Sequence, residues 1–463
     1  MTWQAIIGLE IHVQLKTRTK MFCRCANGFG AAPNATTCPI CLGHPGSLPV
    51  PNRTAVEWTV DLGRALGCEI AERAVFHRKS YFYPDLAKGY QISQYDEPLC
   101  IGGAFAVPGD GGDLEIGIVR AHLEEDAAKT VHVGGAGGRI VGAGRSLVDY
   151  NRGGVPLVEI VTQPDLRSSD DVKRFLQLLR QTVVELGVSD AEMEKGTMRV
   201  DANVSVRAEG ESDYRTRWEL KNMNSFTFLG RGIDAAVREQ AALYESGQAV
   251  VQETYDYDAG SDTLTPHRSK EEADDYRYFP EPDLVPILPS EFLDAARELP
   301  ESPAMRIRRL ELAVGFATAW ELVTTERDAE HDKLVAAGVE VRTAANVVRN
   351  EAAGVTIAEP SELARVIEAR ERLPREVYLS AVEASAEAGF SADEFLAKEQ
   401  VSDEGSLEPV VDAVLAAHPN QVAAFRGGKE GLLGFFVGQV MKETGGSANP
   451  KLVGDMIRQR LMS

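Results

Sequence analysis

The chain has 463 residues, 44% hydrophobic and 26% charged, which is material for two or three domains with a sizeable core. A net charge of −21 excludes a whole-molecule nucleic-acid binder, whose surface has to attract phosphates, and nothing in the composition suits a disordered, fibrous or membrane-spanning chain. Six cysteines, with no basic leader before the first apolar run, point to a soluble cytoplasmic protein whose thiols are free or bind metal.

Ile7, Leu9, Ile11, Val13 and Leu15 alternate with Glu10, His12 and Gln14. This predicts a strand with a carboxylate and an imidazole side by side on its polar face. Cys23-x-Cys25 follows and, twelve residues on, Cys38-x-x-Cys41. Two short-spaced thiol pairs predict a closed, structural four-thiolate zinc site; four buried thiols without metal are the plain alternative.

Thr54–Leu66 reads as a helix. His77–Pro98 then sets Tyr81, Phe82, Tyr83, Tyr90 and Tyr95 among Lys79, Asp85 and Lys88, with Pro84 and Gly89 marking loop rather than regular structure. Such a loop suits either base stacking or anchorage to the core by its tyrosines, and the residues alone leave both open. Leu114–Glu125 alternates again, with Arg120, His122 and Glu124 on one face and Glu125 on the other. Laid directly beside the first strand, it would bring Glu10, His12, His122 and Glu124 or Glu125 to one hard cation. Such a site clamps phosphate oxygens, with Lys79, Lys88, Arg199 or Lys221 as the accompanying cations. Gly134–Gly144 reads as a connecting loop; it fits neither G-x-G-x-x-G nor a P-loop. Cys68 and Cys100 stand alone and read as buried small residues.

Leu157–Thr162 reads as a strand and Ser169–Gly187 as a helix capped by Ser169 or Asp170. Met198–Arg207 alternates, turning Arg199, Asp201, Asn203, Ser205 and Arg207 to one face, and Arg217–Asn224 adds Arg217, Glu219 and Lys221. A second helix is expected over Ile233–Ser246, and the proline-rich end of Ser269–Pro289 marks a boundary. Beyond it the alternation disappears, and short helices run through 291–400. Leu407–Ala417, Gly431–Thr444 and Asn449–Leu461 form a final small bundle. Its last stretch, Asn420–Ser463, carries a net charge of +3, opposite in sign to the rest.

IGLEIHVQLKTRTKMFC, RKSYFYPDLAKGYQISQYDEP, AHLEEDAAK, SLVDYNRGGVPLVEIV, DANVSVR, ELKNMNSF, DYRYFPEPD and GFFVGQVMKETGGSANPKLV resemble the B-subunit family of the bacterial Asp/Glu-tRNA amidotransferases. The likeness runs nearly end to end. It implies an α+β fold: an N-terminal cradle on an antiparallel sheet (1–290), a helical domain (291–400) and a tRNA-gripping helical tail (401–463). It further implies a ligase that uses ATP and Mg²⁺ to phosphorylate the side-chain carboxylate of Glu-tRNA(Gln) or Asp-tRNA(Asn). Ammonia from a glutaminase A subunit then displaces the phosphate, within a heterotrimer that a small C subunit completes. By position, the resemblance places Mg²⁺ at Glu10, His12, Glu124 and Glu125, and zinc at Cys23, Cys25, Cys38 and Cys41. It puts Lys79, Tyr81, Lys88, Asp201, Asn203, Glu219, Lys221 and Asn222 near the kinase and ammonia sites. Tail residues Arg426, Lys429, Lys442 and Lys451 are then expected to meet tRNA. A non-catalytic tRNA-binding module that keeps the fold is the alternative. Val347 stands where the family often has Trp, and the middle region is the least similar.

Overall fold

The computed structural model describes residues 2–462 except 136–141, 269–275, 294–296, 399–403 and 446–447. Two compact units divide it, Met1–Arg306 and Ile307–Ser463.

The first unit runs β1 (Trp3–Gln14), α1 (Arg53–Ala65), β2 (Glu69–Ile70), β3 (His77–Ser80), β4 (Tyr90–Ser93), β5 (Cys100–Ile101), β6 (Ala104–Val107) and β7 (Leu114–Glu125). It continues through β8 (Lys129–Val133), β9 (Arg145–Asp149), β10 (Pro156–Thr162), α2 (Ser169–Glu185), β11 (Met198–Ala208), β12 (Trp218–Lys221) and α3 (Phe226–Glu245). Strands β13 (Thr254–Asp258), β14 (Thr263–Arg268) and β15 (Phe279–Pro280) close the series. The ten-stranded sheet has the order β14-β13-β12-β11-β1-β10-β7-β5-β2, with β6 also on β7. Its pairs are antiparallel except β12–β13, which is parallel.

β1 lies at the centre because both its faces are usable. Ile7, Leu9, Ile11 and Val13 are at most 1% exposed, each worth about 2 kcal/mol of burial. Val200, Ala202 and Val204 continue that apolar face on β11; α3 packs on β11, and α2 packs against α3 and β6. Glu10, His12 and Gln14 are left for the opposite face.

α2 begins at Ser169 as expected, but its cap is Ser168, whose hydroxyl accepts from the Asp171 amide at 3.1 Å, rather than Ser169 or Asp170. α3 begins seven residues ahead of the expected Ile233. Ser225 caps it, and Gly230 and Gly232 lie within it, each closely approached by a neighbouring side chain. A Cβ at Gly230 would fall 2.4 Å from Lys173 Cε, and one at Gly232 3.1 Å from Met223 Sδ. The segment His77–Pro98, expected to be loop, contains the antiparallel pair β3–β4, joined by β15 in a three-stranded sheet. Gly134–Gly144 connects the β8–β9 pair, and its middle lies outside the described residues.

In the second unit all the described regular elements are helical. Val347 is fully buried at the start of a π-helical turn, Val347–Glu351. Glu404–Ala417, Leu432–Glu443 and Pro450–Met462 enclose a core of Leu407, Val411, Phe436, Val440, Val453 and Ile457. A helix that the pattern does not reveal, Pro419–Arg426, joins them.

Candidate active site on the polar sheet face

Strand register places the polar side chains in rows. His12 stands opposite Arg199 on β11 and Glu159 on β10, and Glu159 in turn stands opposite His122 on β7. One row along, Glu10 faces Asp201; in the other direction, Gln14 and Glu124 flank Leu157. β1 and β7 are therefore not the direct neighbours that their shared carboxylate–imidazole pairing suggests. β10 lies between them and contributes Glu159, a residue that alternation alone does not single out. A signal for it is present: Glu159 is the lone charge in the apolar run PLVEIVT.

Four groups converge here. His12 Nε2 lies 3.4 Å from Glu124 Oε1 and 3.2 Å from Glu159 Oε2, and His122 Nε2 is 3.9 Å from the same Glu159 oxygen. Burial opposes a charge on His12, but the bond to Glu159 and the field of Glu159 and Glu124 outweigh it and raise its pKa to about 9. His122, without a hydrogen-bonded carboxylate, is lowered by burial to about 4, and its Nδ1 has no partner among the described residues. Burial and the proximity of Glu159 push Glu124 up; Glu159, despite burial, is held low by His122 and His12. Lys79 from β3 joins this group. Burial disfavours its charge, yet Tyr278, Glu124 and Glu159 raise its pKa, and its ammonium lies 4.7 Å above the Tyr276 ring. Tyr81 sits alongside, 5.9 Å from Tyr83 and 6.2 Å from Tyr276.

The donor atoms of His12, Glu124 and Glu159 lie within 4.8 Å of one another. Octahedral Mg²⁺, at about 2.1 Å from its ligands, places adjacent ligands about 3 Å apart, so the observed 3.2 and 3.4 Å fit. Two carboxylates around one imidazole require a positive charge between them, supplied by the His12 proton or by a cation.

A second cluster lies on the β11 side. Asn203 Nδ2 donates to Glu10 Oε1 at 3.0 Å, while its buried Oδ1 has no partner among the described residues. Lys221 reaches Asp201 at 3.2 Å and Glu219 at 3.4 Å, and Asn222 donates to Asp256 at 2.5 Å. Burial opposes the Lys221 charge, but Asp201 and Glu219 raise its pKa. Glu10 thus belongs with Asn203 and is not among the three mutually close ligands.

Glu125 points away from Glu124. It is buried, pairs with Lys88 and accepts from the Ile92 amide at 2.9 Å. The structure therefore brings Lys88 and Glu125 to each other rather than to His12. A cavity beside this pair is lined by Lys20, Cys23, Cys41 and Gly154, reaching the cysteine segment.

The sulfur atoms of Cys23, Cys25, Cys38 and Cys41 also lie within 4.8 Å of one another, with Cys38 and Cys41 at 3.9 Å. Tetrahedral zinc, about 2.3 Å from each thiolate, separates sulfurs by about 3.8 Å, so the set fits. The bond with Cys23 draws the Cys41 thiol down to about 5, helped by Lys20, whose ammonium is 3.9 Å away. Cys100 is buried, and burial raises the thiols of both Cys100 and Cys68.

Arg426, Lys429, Lys442 and Lys451 are exposed, although Arg426 also donates to the Leu461 carbonyl at 3.1 Å. Arg458 and Arg460 are engaged within the bundle, Arg458 with Asp455, and Arg460 with Glu408 and Asp412.

The chain matches two family models, the GatB/GatE catalytic domain over residues 5–293 and the GatB domain over 329–461. Among curated proteins it is 45% identical to the B subunit of the aspartyl/glutamyl-tRNA(Asn/Gln) amidotransferase of Syntrophotalea carbinolica, covering 99% of this chain and 98% of that one. It is also 45% identical to the B subunits of the same amidotransferase from Moorella thermoacetica and Geobacter sulfurreducens, each aligned over the full length of both chains. No described helix is long and apolar enough to cross a membrane.

Proposed function

The chain belongs to the GatB family, and on that premise we propose that it is the B subunit of a cytoplasmic aspartyl/glutamyl-tRNA(Asn/Gln) amidotransferase, a glutamine-dependent carbon–nitrogen ligase. The side-chain carboxylate of a tRNA-bound Glu or Asp attacks the γ-phosphorus of ATP, and ADP leaves. Ammonia, released from glutamine by an amidase A subunit, then attacks the acyl carbon of the mixed anhydride. Phosphate departs, nitrogen sheds a proton, and the amide remains. A small C subunit completes the heterotrimer.

The observation that carries this reading is the trio His12, Glu124 and Glu159, which is poised for a cation, with Lys79 beside it. Bound there, Mg²⁺ would neutralise phosphate oxygens. Lys79 would hold the transferring phosphoryl group while Tyr81 and its neighbours wall the site from water. Asp201, Asn203, Glu219, Lys221 and Asn222, with Glu10, would orient the acyl substrate. The buried Lys88–Glu125 pair, on the other side of β7, is assigned to the ammonia route. Cys23, Cys25, Cys38 and Cys41 would hold one structural zinc ion. The exposed Arg426, Lys429, Lys442 and Lys451 would meet tRNA phosphates, which makes tRNA affinity salt-dependent.

The test is ADP release by the chain with its partner subunits, ATP, Mg²⁺ and Glu-tRNA(Gln) or Asp-tRNA(Asn). Release that needs the charged tRNA and is lost in His12→Ala supports the assignment. Binding of tRNA with no ADP release by the wild type would leave only a tRNA-binding module.

A further inference from the structure

Beyond Glu10 the polar face continues as a cavity of about 260 Å³. Its floor is Gly8, Asn203 and Ser205, and its rim is Tyr214 and Arg217. Gly8 contributes no side chain, and Pro164, whose atoms lie 3.6 Å from where a Cβ would stand, walls the space at that point.

The two ends differ in charge. At the inner end stand Glu10 and Asp201, the unpartnered Asn203 Oδ1, and Lys221, already shared between Asp201 and Glu219. Carboxylates outnumber ammonium groups there, so the end favours a cationic donor and repels a triphosphate. At the rim, Arg215 is taken up by Glu211 at 2.6 and 2.9 Å and by the rings of Trp3 and Tyr244. Arg217 is exposed and has no ion-pair partner among the described residues, and Tyr214 is 66% exposed. A free guanidinium beside an open aromatic ring suits a phosphodiester and a stacked base.

We infer that this cavity seats the aminoacyl ester at the 3′ end of the tRNA: its α-ammonium against Glu10 and Asn203, its terminal 5′-phosphate on Arg217, its terminal base on Tyr214. The inference rests on the proposed function. Esterification consumes the α-carboxylate and leaves the α-ammonium as the only cation of the aminoacyl group. Of the two substrates, ATP has no such group. The same geometry directs the side-chain carboxylate past Glu10 toward His12 and Glu159, where the phosphoryl donor is placed.

The probe is 3′-deoxy-3′-(glutamylamido)adenosine 5′-phosphate, whose amide link resists hydrolysis. Calorimetry with the full chain compares it with its 5′-dephospho and N-acetyl forms. Each alteration is expected to weaken binding to the wild type about tenfold. Arg217→Gln should abolish the phosphate increment and keep the ammonium increment; Arg217→Lys should retain most of both. Asn203→Leu should abolish the ammonium increment alone. Equal affinity of the wild type for all three probes overturns the inference, as does Arg217→Gln weakening the phosphorylated and dephosphorylated forms alike, or competitive displacement of the probe by ATP. If ADP release with intact aminoacyl-tRNA persists while the probe increments are absent, only the subsite falls. If both are absent, the proposed function falls with it.

Discussion

Cys23, Cys25, Cys38 and Cys41 lie within nineteen residues of one another, whereas His12, Glu124 and Glu159 come from three strands spread over almost 150 residues. The thiolate site is closed by a short loop, at little cost in chain entropy, and depends on itself and its metal. The imidazole–carboxylate site exists only when β1, β10 and β7 take their order and register, since a one-residue slip turns every ligand to the other face. A local site fails locally, whereas a site written in strand register fails with the sheet or through one of its own charges.

The largest effect should come from the long-range site. Glu159→Gln keeps the shape and removes a charge, and ADP release in the assembled enzyme should drop about 10³-fold, or about 4 kcal/mol, with the unfolding midpoint nearly unchanged. Unchanged turnover would separate this trio from the chemistry. Lys88→Met should act in the opposite sense, on the fold, by leaving Glu125 buried and unpaired at a cost of about 3 kcal/mol in denaturant unfolding. Adding Glu125→Gln should recover much of that loss. Cys38→Ser should abolish stoichiometric zinc in elemental analysis. It should cost about 2.7 kcal/mol at zinc concentrations a hundredfold above Kd, and chelator should reproduce the loss in the wild type but not in the variant.

Smaller effects sharpen the contrast further. With its pKa raised from 6.5 to about 9, metal-free His12 contributes stability that is complete below pH 6.5 and is lost as pH rises through 9. A cation has to displace that proton, so Mg²⁺ affinity measured by calorimetry should rise about tenfold per pH unit from 7 towards 9 and then level off. The thiolate site, held by zinc, should show no such trend across that range. The smallest change expected is in the tail: Lys429→Ala should reduce the slope of log tRNA affinity against log salt by about 0.7–0.9.

The same contrast explains what can be read from the sequence. The thiol pairs are legible because their geometry is local. β1, β7 and β11 are legible because period-two alternation survives in strands with one apolar face, and β10 is legible as a short apolar run. Which strands are neighbours is not written in alternation, so Glu159 on β10 does not show itself as a partner to His12. β3 and β4 are only four residues each, too short for a period to show. The expected start of α3 at Ile233 misses the turn that holds Gly230 and Gly232, whose close neighbours Lys173 and Tyr257 come from elsewhere in the chain. In the second unit the helices are legible from composition, but Pro419–Arg426 hides behind a proline that serves as a first-turn residue.

The central place of β1 has a consequence during synthesis. Its partners Val161 and Asp201 follow Glu10 by about 150 and 190 residues. At roughly 5–20 residues per second, Ile7, Leu9 and Ile11 wait on the order of eight to thirty seconds before the first flank arrives. During that interval the nascent chain carries an unpaired apolar ribbon, so yield on heterologous expression should track chaperone supply more closely than it tracks the stability of the finished fold.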